Sequence, residues 1–153
     1  MNLTPFARPF FKGRLKDIER YATDAEAIQR DILDKLVASA SATEWGIRHN
    51  YPALQSYEQF ASAVGVQDYE TLKGYIDRMR RGEKDVLWKG GCKWFAKSSG
   101  TTNDKSKFIP VTQACLHNVH YKGGYDVMAT YLACNPQSRI LSGKGFILGG
   151  SHS

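Results

Sequence analysis

The sequence holds 153 residues, 42% hydrophobic and 24% charged, with a net charge of +6, ordinary proportions for a globular protein large enough to form one domain with a core. Its longest apolar runs fall far short of the roughly 20 residues that cross a bilayer, and Met1-Asn2-Leu3-Thr4-Pro5 lacks the apolar core of a signal peptide. Cys92, Cys115 and Cys134 form no Cys-x-x-Cys pair and are odd in number, which suits reduced thiols and predicts a cytoplasmic location.

In chain order, Pro5, Pro9 and Gly13 predict an irregular leader over residues 1–13. A short helix is expected over 15–21. Thr23 with Glu26 three residues on reads as a capping box opening a longer helix, whose apolar stripe would be Ile28, Ile32, Leu33, Leu36, Val37 and Ala40. Ser56 with Gln59 opens another helix in the same way. A fourth is expected over 69–81, burying Tyr69, Leu72, Ile76 and Met79 and stopping at Gly82. The texture then changes. Val86-Leu87-Trp88, Trp94-Phe95-Ala96 and residues 107–111 read as strands. Thr112 caps a helix reaching about Ala133, ended by Asn135-Pro136, and residues 145–149 read as a last apolar strand. The fold class is mixed α/β: residues 1–84 mainly helical, then 85–153 running strand, loop, strand, helix, strand.

The loop between the second and third of these strands is the richest segment. Ser98-Ser99-Gly100-Thr101-Thr102 sets four hydroxyl donors around one glycine, and Lys107 follows. A phosphate needs donors, a backbone that approaches closely and a cation; hydroxyls donate, glycine allows close approach, successive backbone N–H groups form an anion-binding concavity, and lysine supplies a point charge. A Walker A loop is excluded, because after Gly100 and four residues Lys105 stands where the second glycine belongs, one residue early for the lysine. The three-glycine dinucleotide fingerprint is also absent. Charge agrees with a polyanion: residues 91–153 hold 7 Lys and Arg against 2 Asp and Glu, whereas residues 1–90 hold 14 against 13. The same charge would suit nucleic acid. Trp88, Trp94 and Phe95 interleave with Lys89, Lys93 and Lys97, a single-strand binding pattern that also fits strands with lysine facing out. His117 and His120 lack a third ligand at a telling spacing, so no metal site is read from them. The cysteines read as small buried apolar residues, and no Gly-x-Ser-x-Gly elbow marks a nucleophile.

Ser98-Ser99-Gly100-Thr101-Thr102 followed by Lys107 resembles the phosphate loop of the adenylate-forming superfamily. Thr43-Glu44-Trp45-Gly46, Tyr57-Glu58-Gln59-Phe60, Val66-Gln67-Asp68-Tyr69-Glu70, Tyr75-Ile76-Asp77-Arg78 and Gly82-Glu83 precede it in order. This layout is similar to the auxin-responsive-promoter family of acyl acid amido synthetases, over roughly residues 15–151. The wider superfamily usually has glycine where this chain has Asp104.

The resemblance implies an ATP- and Mg²⁺-dependent ligase that adenylates a small carboxylic acid and passes the acyl group to an amine or amino acid. Ser98, Ser99, Gly100, Thr101, Thr102 and Lys107 would contact the nucleotide phosphates; no catalytic acid–base residue and no protein-held metal is implied. Residues 1–153 would form the N-terminal part of an adenylation domain, without the C-terminal domain of such enzymes, and a piece of that kind would be inactive alone. The alternative from another class is a small basic module that binds single-stranded nucleic acid.

Overall fold

A computed structural model describes residues 3–98 and 106–146. In chain order the described elements are α1 (Thr4–Thr23), α2 (Ala25–Ala40), α3 (Glu44–Arg48), a 3₁₀ turn (Tyr51–Ala53), α4 (Tyr57–Val64), α5 (Tyr69–Arg80), β1 (Trp94–Lys97), β2 (Phe108–Val111), α6 (Gln113–Cys115), a π-wound stretch (Leu116–Tyr121), α7 (Lys122–Cys134) and a 3₁₀ turn (Ile140–Ser142). The described residues are thus mostly helical, with a two-stranded antiparallel sheet. The chain divides into two compact units, one of residues 24–119 and one of residues 1–23 with 120–153.

In the first unit, local chemistry starts α4, α5 and α6. Ser56 Oγ accepts from Gln59 N, Asp68 Oδ1 from Thr71 N and Thr112 Oγ1 from Cys115 N, each satisfying a donor that the first helical turn leaves over. The Gln59 side chain reaches back to Gln55 N at 2.7 Å, one residue short of a reciprocal box. The expected Thr23 cap does not form. Thr23 ends α1, and Asp24 precedes α2 without a side-chain capping bond. Along α2 only Val37 and Ala40 are buried, and Ile32 and Leu36 are exposed. The buried pair joins Trp45 and Tyr51, with Leu33, Phe60, Leu72 and Tyr75 packed around them.

Segment 86–88 is not a strand, contrary to the expectation from its apolar run. Its neighbourhood serves a helix instead. Asp85 O and Val86 O accept from Glu44 N and Trp45 N, the first donors of α3. Asp85 turns back with φ 57°, its Oδ1 accepting from Gly90 N at 2.6 Å, a left-handed conformation that aspartate tolerates better than most residues. Val86 is 1% exposed, so its apolar character anchors a loop into the core.

Arg78 of α5 ties that helix to the start of α3. Its Nη1 donates to Glu44 Oε1 at 2.9 Å, its Nη2 to Glu44 Oε2 at 2.5 Å, and its Nε to Glu83 Oε2 at 2.9 Å. The Arg78 hydrogen bonds hold both carboxyls below their ordinary value of 4.5, and the guanidinium is raised in turn. A depressed folded-state carboxyl pKa adds stability above the unfolded value and loses it as pH falls through the folded one. Thermal stability should therefore drop below pH 4.5, and Arg78→Met should flatten that part of the acid limb. Parallel acid limbs in melting curves of the two proteins would show that the triad contributes nothing.

The second unit pairs α1 with α7. The irregular leader expected over residues 1–13 is not found from Thr4 on, since α1 starts there and runs through Pro9. Pro5 sits in the first turn, where its missing N–H costs nothing, whereas Pro9 removes one backbone bond. Packing offsets that loss. Arg8 donates to Leu132 O, Asn135 O and Pro136 O at 2.8, 2.9 and 2.5 Å, covering carbonyls at the end of α7 where a cation is favoured. Arg14 Nε donates to Asp126 Oδ1 at 2.8 Å. Phe10 and Phe11 meet Tyr125 at ring-centroid distances of 5.9 and 6.1 Å. Ala129 and Leu132 are buried, and Thr4 Oγ1, fully buried, accepts from Leu141 N. Of the last expected strand, Gly145 and Phe146 have no regular structure and the rest lies outside the described residues. No described helix is long and apolar enough to cross a membrane.

Candidate functional site

β1 and β2 pair antiparallel, Trp94 opposite Val111, Phe95 opposite Pro110, Ala96 opposite Ile109 and Lys97 opposite Phe108. Pro110 is tolerated because a two-stranded sheet has only edge strands. The ladder extends one pair further. Ser98 N donates to Lys107 O at 2.9 Å, and Lys107 N donates to Ser98 Oγ at 3.2 Å. Ser98 and Lys107, far apart in the candidate sequence motif, thus close the neck of the loop together. Ser99, Gly100, Thr101 and Thr102, with Asp104 and Lys105, lie outside the described residues.

α5 holds this neck from one side. Tyr69 Oη accepts from Phe108 N at 3.0 Å, and Lys107 Nζ stands 5.4 Å from the centroid of the Tyr69 ring. The Arg80 guanidinium lies 3.6 Å from the centroid of the Phe108 ring, a close cation–π stack. Tyr69 and Arg80 are eleven residues apart, three helical turns plus about 20°, so one face of α5 delivers both. Asp68, the cap of α5, is held below its ordinary 3.8 by the Thr71 backbone N–H, then by the Thr71 hydroxyl, with a smaller effect from Lys107. The neck therefore presents a hydroxyl and an exposed ammonium on a backbone braced by a helix. The sequence marks Tyr69 as a core-facing residue of α5 and as part of an upstream motif, but no local signal announces its bond to β2.

Other features are less suited to an anion. A groove of about 470 Å³ is lined by Leu33, Val37, Tyr51, Leu54 and Phe60, with Asp34 as its charged residue and no cation. His117 Nε2 lies 2.7 Å from Gln113 Nε2 within helical backbone. The cysteines are less buried than expected, Cys134 being exposed and Cys92 and Cys115 half-buried. Among the described residues no three His, Cys, Asp or Glu side chains gather as a metal site would require.

Residues 14–148 match the GH3 family N-terminal domain. The chain belongs to this family, the one its loop and upstream motifs resemble. It is 29% identical over 103 residues to the indole-3-acetic acid-amido synthetase GH3.6 of Arabidopsis thaliana, covering 67% of this chain and 17% of that protein. It is 29% identical over 112 residues to the 4-substituted benzoates-glutamate ligase GH3.12 of the same plant, covering 72% of this chain and 19% of the relative. To the indole-3-acetic acid-amido synthetase GH3.17 it is 32% identical over 101 residues, 64% of this chain and 16% of the relative. The chain spans less than a fifth of the length of these curated relatives.

Proposed function

We propose that this chain supplies the phosphate-gripping part of an ATP-dependent ligase that joins a small carboxylic acid to an amine or amino acid. The observation that carries this reading is the braced hairpin neck, where Ser98 and Lys107 frame the hydroxyl–glycine run inside the segment matched by the family domain. The names of the relatives, amido synthetase and ligase, support the bond formed.

In the proposed reaction the acid's carboxylate attacks the α-phosphorus of ATP and pyrophosphate leaves. The amine then attacks the acyl carbon of the adenylate and AMP leaves. The nucleophile of the first step is already ionised, so no general base is required there. The protein's work is placement and charge stabilisation. Ser98, Ser99, Thr101 and Thr102 would donate to the β- and γ-phosphate oxygens, Gly100 would let the backbone come close, and Lys107 would balance the departing pyrophosphate. Magnesium arrives as part of the substrate, MgATP, since this ion keeps to phosphates and water more than to protein cages.

The test is acid-dependent exchange of labelled pyrophosphate into ATP by the protein at its full natural length. A hydrogen bond to a charged group is worth about 1.5–3 kcal/mol. Ser99→Ala or Thr102→Ala should therefore slow exchange about tenfold or more. Unchanged exchange in both variants would overturn the role given to the loop.

A second reading rests on one observation. Trp94 is 63% exposed on β1, between exposed Lys93 and Lys97, which suits base stacking. That reading requires single-strand binding that falls steeply with salt. The ligase reading requires preference for MgATP over oligonucleotide at physiological salt.

A further inference from the structure

We propose that Tyr69, seconded by Arg80, is the positioning residue of the phosphate grip, setting where Lys107 stands at the loop's neck. The inference rests on the phosphate reading above and adds residues of α5 to it.

The argument begins with the ladder. Successive N–H groups of an antiparallel strand point alternately toward the partner strand and away from it. Lys107 N–H points inward, to Ser98 Oγ. Phe108 N–H therefore points off the outer edge, where a third strand would accept it. No third strand pairs there among the described residues. The Tyr69 phenol takes that place, accepting at 3.0 Å in a half-buried setting. An edge N–H in such a setting needs an acceptor, and a side chain from a helix fixes it in one position only.

Two further contacts fall on the same two residues. The Arg80 guanidinium covers the Phe108 ring at 3.6 Å, so the residue is held by its backbone at one end of α5 and by its side chain at the other. The Tyr69 ring lies 5.4 Å from Lys107 Nζ, within reach of the attraction between a cation and an aromatic face. Lys107 carries four rotatable bonds and would otherwise sweep a wide arc. One tyrosine thus limits both the backbone next to Lys107 and the travel of its charge. A backbone hydrogen bond and two cation–ring contacts are directional, so they fix position more closely than apolar packing alone would.

The test uses the whole chain labelled with ¹⁵N, with MgATP as the probe, and compares the parent with Tyr69→Phe, Arg80→Met and Ile76→Val. Tyr69→Phe keeps the ring and removes the acceptor. Ile76→Val trims a buried side chain of α5, leaves the Tyr69 and Arg80 side chains in place, and controls for a general loosening of the helix. Expected results are faster hydrogen exchange at the Phe108 amide and roughly tenfold weaker MgATP binding in Tyr69→Phe, a smaller change of the same sign in Arg80→Met, and MgATP affinity within about twofold of the parent in Ile76→Val. Parent-like exchange at Phe108 in Tyr69→Phe overturns the inference. So does parent-like MgATP affinity in both Tyr69→Phe and Arg80→Met, or equal weakening by Ile76→Val. Should Tyr69→Phe not fold, Arg80→Met, which loses an exposed guanidinium and its surface ion pair with Asp77, decides on its own. If the parent shows no shifts at Ser98, Lys107 or Phe108 with MgATP, the phosphate reading itself fails and takes this inference with it.

Discussion

Gly46→Ala should unfold, or bring close to unfolding, the unit formed by residues 24–119. A Cβ built on Gly46 would lie 2.1 Å from Ala40 O and 2.9 Å from Ala40 C. Both are backbone atoms at the end of α2, and neither can swing aside. Ala40 O is further pinned as the acceptor of Thr43 N at 3.0 Å and Thr43 Oγ1 at 2.7 Å, while Thr43 Oγ1 accepts from Gly46 N at 3.0 Å. The turn from α2 into α3 is a closed ring of hydrogen bonds with no space for a methyl group. Overpacking a tight site costs about 1–3 kcal/mol when side chains can adjust, and here only backbone could move, so about 3 kcal/mol or more is expected. Gly74→Ala supplies the contrast. It lies in α5 with open space around it, and should raise stability by about 0.5–1 kcal/mol. Urea denaturation followed by circular dichroism measures both. Similar midpoints for the two variants would show that the α2–α3 turn can relax.

Trp45→Ala should cost about 3–5 kcal/mol, the usual toll of emptying a buried aromatic site. Trp45 is 8% exposed and belongs to the cluster with Val37, Ala40 and Tyr51. Its ring meets Tyr75 edge-on at 5.3 Å and His49 at 4.3 Å. Through Tyr75 it supports α5, the helix that braces the loop neck, so the damage should reach the candidate site. Trp45→Phe keeps an aromatic partner for Tyr75 and should recover a large part of the loss. Guanidinium denaturation curves followed through the remaining Trp88 and Trp94 would check this. A midpoint unchanged in Trp45→Ala would mean the cluster does not hold α3 to α5.

The elements that could be read from sequence are those whose cause is local. Asp68, Ser56 and Thr112 start helices because a short polar side chain meets a donor three residues on, and that spacing is visible in the chain. The fourth helix, expected over 69–81, runs Tyr69–Arg80. Elements misread are those decided by distant partners. Val86-Leu87-Trp88 has strand-like residues, yet the carbonyls of Asp85 and Val86 are claimed by α3, some forty positions earlier. Pro5 and Pro9 suggest irregular chain, yet Arg8 and the α7 carbonyls keep the helix whole. The site divides in the same way. Ser98 and Lys107 could be named from hydroxyl density and a nearby cation, and the paired strands bring them together. Tyr69 could not be named as their brace, because nothing near residue 69 records that an unpaired N–H waits at residue 108.

Arg8 finds its carbonyl acceptors 124, 127 and 128 positions further along the chain. During synthesis the amino-terminal helix must leave the ribosome long before its partner exists. Phe6 and Phe10, both largely exposed even after docking, would meet solvent or a chaperone in that interval. Contacts of such long range form late. Residues 24–119 can settle before α1 finds α7, because their contacts lie closer together along the chain.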